Sequence, residues 1–176
     1  MSGGRSTRIR IKMRELIDIV EMLNSKADVK WSLEKGYINK GKFTIDGDLV
    51  EILIEEFETA SRKSLVEFGF SVNGSIQAKE GAKNKSRLIG SVLNGAIEKI
   101  EQIDPDVVLV AVNKKSGMIE SRKAVYTTIM YQFMKRSAYL FHKDWIENSV
   151  GFYAMIAKHK FSEEEEQAFI NMVKSK

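Results

Sequence analysis

The sequence predicts a single α/β domain of the α+β kind, with a mixed, mainly antiparallel central sheet and flanking helices. Three observations carry that expectation. Three β-like runs joined by short turns lie between positions 37 and 72. A helical pattern then leads to Val107-Val-Leu-Val-Ala-Val112, apolar on both sides as a covered central strand is. A second long helical pattern precedes another apolar run, Gly151-Phe-Tyr-Ala-Met-Ile-Ala157. A helix between two strands invites a parallel crossover, so the sheet should be mixed.

Taken in order, Arg8-Ile-Arg-Ile-Lys12 alternates and reads as a short strand. Leu16, Ile17, Ile19, Val20 and Leu23 then recur at helical spacing within Met13–Leu23, and Asp28–Lys35 forms a weak second helical pattern. Tyr37–Ile45, the turn Asp46-Gly47 and Leu49–Phe57 make a hairpin signal, and Leu65–Val72 adds a third strand. Leu88–Ile103 reads as a helix ended by Asp104-Pro105-Asp106, and Ser121–Phe141 as a long helix with Val125, Ile129 and Phe133 along one stripe. Ser162 with Glu165 three places on is a capping box for a last short helix, Glu163–Lys174.

At 176 residues the chain fits one domain with a sizeable core, residues 1–7 forming an arm and 162–176 a tail helix. Its 43% hydrophobic and 30% charged residues belong to a globular chain and exclude a disordered one. No apolar run reaches membrane-spanning length, and Met1–Arg8 lacks the apolar stretch of a secretory signal. Without cysteine there is no disulfide framework, thiolate nucleophile or cysteine-bound zinc, and a cytoplasmic setting is expected. His142 and His159 have no carboxylate at ligand spacing, so no metal is expected; His142-Lys-Asp144 reads as a helix end.

The most informative stretch runs from Ser64 to Ile100. A strand leads into a basic loop, Gly81-Ala-Lys-Asn-Lys-Ser-Arg87, which opens into a helix. That order presents free backbone N–H groups and a positive dipole end to a phosphate. Lys83, Lys85 and Arg87, with the N–H groups of Ile89, Gly90 and Ser91, are the candidate phosphate contacts; the plain alternative is a solvated loop.

This element order resembles the GCN5-related N-acetyltransferase superfamily. The family's loop reads Gln or Arg, two residues, Gly, any residue, then Gly or Ala. Its counterpart here is Lys85-Ser86-Arg87-Leu88-Ile89-Gly90 followed by Ser91, with Leu88 in place of the first Gly and Lys85 in place of Gln or Arg. The resemblance implies acetyl-CoA or another acyl-CoA as co-substrate, held by the fourth strand around Val72, the loop and the following helix. It implies a contact from Asn113 after the fifth strand, and Tyr131 as proton donor to the departing thiolate, with Tyr126 a weaker rival. The amine acceptor would belong to a protein, a small molecule or a nucleobase.

Such chemistry needs a base for the amine, and Glu55, Glu51 and Glu67 are the available strand carboxylates. Ordinary alternation equally makes Glu67 an outward residue and Tyr131 a core aromatic. The rival function is a non-catalytic module of the same scaffold that binds a protein partner or, through Arg5, Arg8, Arg10 and Lys12, nucleic acid. Compact size and absent cysteine also suit a small viral or mobile-element protein acting on a host factor. Exposed sheet edges and the acidic tail leave a homodimer open.

Overall fold

The computed structural model describes residues 24–58, 63–74, 85–115 and 117–174. The expected strand at Arg8–Lys12, the helix at Met13–Leu23, the 1–7 arm and Lys83 lie outside them. Four strands open the described fold as a meander: β1 Lys30–Glu34, β2 Ile38–Ile45, β3 Asp48–Glu58 and β4 Ser64–Val72. Two consecutive left-handed residues turn each of the first two corners, Lys35-Gly36 (φ 53 and 81°) and Asp46-Gly47 (φ 51 and 83°). Turns of that hand match the strand twist and fix both registers. Asp28–Lys35 is therefore not helical. Val29, Trp31 and Leu33 alternate, and the chain needs only Trp31 and Val29 inward to use the segment as an edge strand.

The remainder is α1 Lys85–Ile103, β5 Val107–Asn113, α2 Ile119–Arg136, β6 Phe141–Glu147, β7 Gly151–Ala157 and α3 Glu163–Lys174. Among the described residues the sheet has seven strands in the order β1-β2-β3-β4-β5-β7-β6. Of these, β4 and β5 pair in parallel and the other pairings are antiparallel. Both crossovers, β4-α1-β5 and β5-α2-β6, step the same way along the sheet. A shared right-handed crossover then puts α1 and α2 on one face. There Val92, Leu93, Ala96, Ile97 and Ile100 of α1 and Tyr126, Ile129, Met130 and Phe133 of α2 pack on Val50, Ile52, Ile54, Phe68, Val108 and Ile156. Each such side chain contributes about 1.5–3 kcal/mol of burial. On the opposite face α3 places Phe169 and Ile170 over Leu65, Val107, Leu109 and Met155.

Two helix boundaries differ from expectation. α1 is already helical at Lys85, three residues before Leu88. α2 stops at Arg136, where Ser137 turns extended (φ −139°, ψ −179°) and its Oγ donates to the Phe133 carbonyl at 2.6 Å. Phe141–Glu147 is thus an edge strand, and His142 sits within it, not at a helix end. The Ser162–Glu165 capping box is formed: the Glu165 N–H donates to Ser162 Oγ at 3.1 Å, and the Ser162 N–H to Glu165 Oε2 at 3.4 Å.

Candidate functional site

The sheet is interrupted at the parallel joint between β4 and β5. β4 and β5 pair through Leu65–Val107, Val66–Val108 and Glu67–Leu109 only. Beyond that point both strands continue, β4 to Val72 and β5 to Asn113, without pairing to each other. The cause lies partly in the side chains. Phe68 and Phe70 point to the helical face and form a cluster with Tyr126 of α2, with centroid separations of 6.0 and 5.7 Å in edge-on geometry. The Phe70 backbone N–H donates to the Tyr126 hydroxyl. A phenol thus takes a strand amide on the side of β4 that faces β5.

Gly69 lies against this arrangement, since a Cβ there would sit 3.6 Å from the Tyr126 oxygen, at ordinary contact distance. Tyr126 is 4% exposed. Burial pushes its pKa up to about 12, with the Glu67 charge adding to the rise while the Phe70 N–H and Arg122 oppose it. The group is a protonated phenol throughout the ordinary pH range, able to donate.

Glu67, half-buried, occupies the last rung before the strands part, and its register partner on β3 is Glu55, also half-buried. Directly opposed residues have Cβ atoms about 5 Å apart, so the two carboxylates share one patch of the sheet. Alternation turns them, with Glu51, away from the face that carries α1 and α2. Lys42 lies 3.7 Å from Glu51 in the same patch. Carboxylates on one side of the parting and a phenol rising through it from the other form a pair of groups able to take a proton and give one.

The helix heads lie at the open end of the parting. β4 and β5 run in parallel toward it, and each is followed by a helix running back, so α1 and α2 both begin there. α1 is helical from Lys85 on, so the N–H groups of Ile89, Gly90 and Ser91 fall inside the helical ladder and are not open. Leu88 is 4% exposed and belongs to the core, Gly90 is buried and Ile89 half-buried. Arg87 is exposed, and with the buried Ser91 it lines a cleft of about 280 Å³ whose other walls include Lys26, Asp28 and Thr44. Lys85 starts the helix.

The remaining candidates are dispersed. Val72 is buried on the helical face. Asn113 is exposed at the end of β5, where its Oδ1 accepts the Lys115 N–H at 2.8 Å and shapes the turn. Tyr131 is 48% exposed, its ring 5.3 Å from that of His142, on a different side of α2 from Tyr126. The structure therefore brings Tyr126, Glu67 and Glu55 to the parting and leaves Tyr131 outside it. Arg122, one turn before Tyr126, joins the group; the sequence marks it only as one of the basic residues Lys114, Lys115, Arg122 and Lys123, and its i, i+4 relation to Tyr126 is what places it here. Among the described residues no cluster of three or more His, Cys, Asp or Glu could hold a metal ion, and no helix is long and apolar enough to cross a membrane.

No protein-family model matches the chain, and comparison with curated proteins returns no relative.

Proposed function

We propose that the chain is an acyl-CoA-dependent N-acyltransferase, acetyl being the simplest donor, acting on an amine of a protein, a small molecule or a nucleobase. One observation carries the reading: a β4–β5 ladder that ends at Glu67–Leu109 with the Tyr126 hydroxyl beside the next stretch of β4, which does not pair with β5. The strand order, with the parting at the parallel β4–β5 joint, agrees with the resemblance to the GCN5-related N-acetyltransferases and supports the same reading. The thioester limb of the co-substrate would lie in the parting, and its diphosphate near the head of α1 and Arg87.

In that arrangement Glu67, directly or through a water, takes a proton from the ammonium form of the acceptor. The amine nitrogen attacks the thioester carbonyl, the C–N bond forms, the C–S bond breaks, and the sulfur leaves with the electron pair. Tyr126 gives that sulfur its proton and recovers one from solvent. A phenol titrating near 12 is a weaker acid than a thiol near 8.5, so the transfer is uphill by roughly 5 kcal/mol unless the phenolate is stabilised in place.

Calorimetric titration with acetyl-CoA, followed by assay of free thiol with a panel of amines, tests the proposal. Saturable binding that weakens about 3–10-fold in Arg87→Ala, with thiol released only when an amine is present, is expected. No heat at millimolar acetyl-CoA would overturn it. A second reading, a binding module without chemistry, is favoured by one feature: the Tyr126 ring and the buried Leu88 already fill space a ligand would use. It predicts no heat with acetyl-CoA in the wild type and its recovery in Leu88→Gly.

A further inference from the structure

Arg122 stands on the first turns of α2, the end nearest the open side of the β4–β5 parting. Its backbone N–H donates to the Met118 carbonyl at 3.1 Å, so it is fixed within the helix. Its side chain is half-buried, and among the described residues the buried Nε atom has no hydrogen-bond partner. A guanidinium N–H taken from water and left unused by the protein is costly, and such groups are retained where something else uses the charge. The neighbouring cation Lys123 is engaged elsewhere: its Nζ is 3.5 Å from Glu120 and 4.4 Å above the Phe152 ring.

What lies beside Arg122 is Tyr126. Residues four apart share a helix face, and long side chains lean back toward the preceding turn, so the phenol reaches over the turn that carries Arg122. The charges acting on that hydroxyl are Glu67 from β4 and Arg122 from its own helix, opposed in sign.

Resting on the acyltransfer reading, we infer that Arg122 is a positioning residue for Tyr126, its guanidinium balancing the negative charge left on the phenol oxygen as the proton passes to the leaving sulfur. The transfer moves one proton from oxygen to sulfur and needs no other reactant. Arg122 touches neither donor nor acceptor; it acts through the phenol. Glu67 on the other side disfavours the same charge, and Arg122, with the Phe70 N–H, opposes that effect.

A double-mutant cycle on the full-length chain decides this, reading thiol release from acetyl-CoA with a lysine-rich peptide as acceptor. Arg122→Gln should lower kcat about 10-fold with the KM for acetyl-CoA within twofold, and Arg122→Lys should restore most of it. In the Tyr126→Phe background Arg122→Gln should change kcat less than twofold, since the group it serves is gone. Equal losses in both backgrounds, or a loss confined to KM, overturn the inference while leaving acyltransfer intact. A wild type that binds acetyl-CoA but shows unchanged kcat in Arg122→Gln overturns it as well. A wild type that neither binds nor cleaves acetyl-CoA overturns the acyltransfer reading and the inference with it. Thermal unfolding of each variant separates misfolded protein from the comparison, and Arg122→Lys supplies the folded control if Arg122→Gln unfolds.

Discussion

Gly69 and Tyr126 meet where the sheet comes apart, the site of a Gly69 Cβ lying 3.6 Å from the phenol oxygen. That is ordinary contact distance, so a methyl fits and a branched side chain does not. Gly69→Ala should leave stability unchanged or raise it by about 0.5–1 kcal/mol through reduced chain freedom. Gly69→Val should lower it by about 1–3 kcal/mol by displacing the phenol. Urea unfolding of both variants checks the contrast; equal stability would mean that Tyr126 is not seated against β4.

Removing the hydroxyl tests the other half of the same contact. Tyr126→Phe keeps the ring and its packing on Phe68 and Phe70 but strips the Phe70 N–H of its acceptor. Leaving a buried donor unmet costs about 1–3 kcal/mol, so the urea midpoint should fall with the slope unchanged. A midpoint equal to wild type would show that solvent already reaches that amide.

Acid sensitivity should concentrate at the start of α3. The Lys63 side chain, foremost, and then the Ser162 N–H and His159 hold the Glu165 carboxyl below its ordinary value of 4.5. A depressed folded pKa contributes stability that is complete above the unfolded value and disappears as pH falls through the folded one. Glu165→Gln should therefore narrow the stability gap between neutral pH and about pH 3. Ser162→Ala should cost about 1 kcal/mol at neutral pH through loss of the cap. Chemical denaturation at the two pH values measures both, and an unchanged gap in Glu165→Gln would refute the assignment.

Gly151 is the glycine whose replacement the backbone cannot absorb. A Cβ there would come within 2.5 Å of the Val112 carbonyl oxygen, on the rung where Asn113 pairs with Gly151. Since the obstacle is main chain and not a movable side chain, Gly151→Ala should destabilise by about 2–4 kcal/mol. A melting temperature within a degree or two of wild type would show that β5 and β7 can shift apart at this end.

Much of this architecture was legible in the sequence where local chemistry dictates it. Asp46-Gly47 specifies a two-residue turn that only left-handed φ values close, and Ser162 with Glu165 specifies a helix start; both formed as read. Val107–Val112 announced a strand covered on both faces, and five of its six residues are buried. The edge strands were not legible. β6 exposes most of its residues and carries an irregularity between Lys143 and Ile146, so no two-residue rhythm survives, and its start merges with the stripe of α2. β1 failed for a related reason: with a single inward residue, Trp31, a five-residue edge strand has no pattern to display.

Site residues divided along similar lines. Glu55 and Glu67 could be singled out as carboxylates on strands, but their opposition across two strands depends on a register set by distant turns. Tyr131 and Tyr126 differ by five positions on one helix, and which of them faces the sheet depends on where α2 begins, a boundary without a capping side chain. Phase, not composition, separated the two.

Among the described residues three rungs between β4 and β5, with the Asp106 N–H donating to the Ser64 carbonyl at 3.0 Å beside them, stitch a four-strand panel to a three-strand panel. Mechanically this is a short spine joining two leaves, with α1 and α2 strapped across the same side. Tension applied from Trp31 to Trp145 should tear along that spine before either leaf frays. Whatever wedges into the gap will be felt at once by the helices that bind the leaves together.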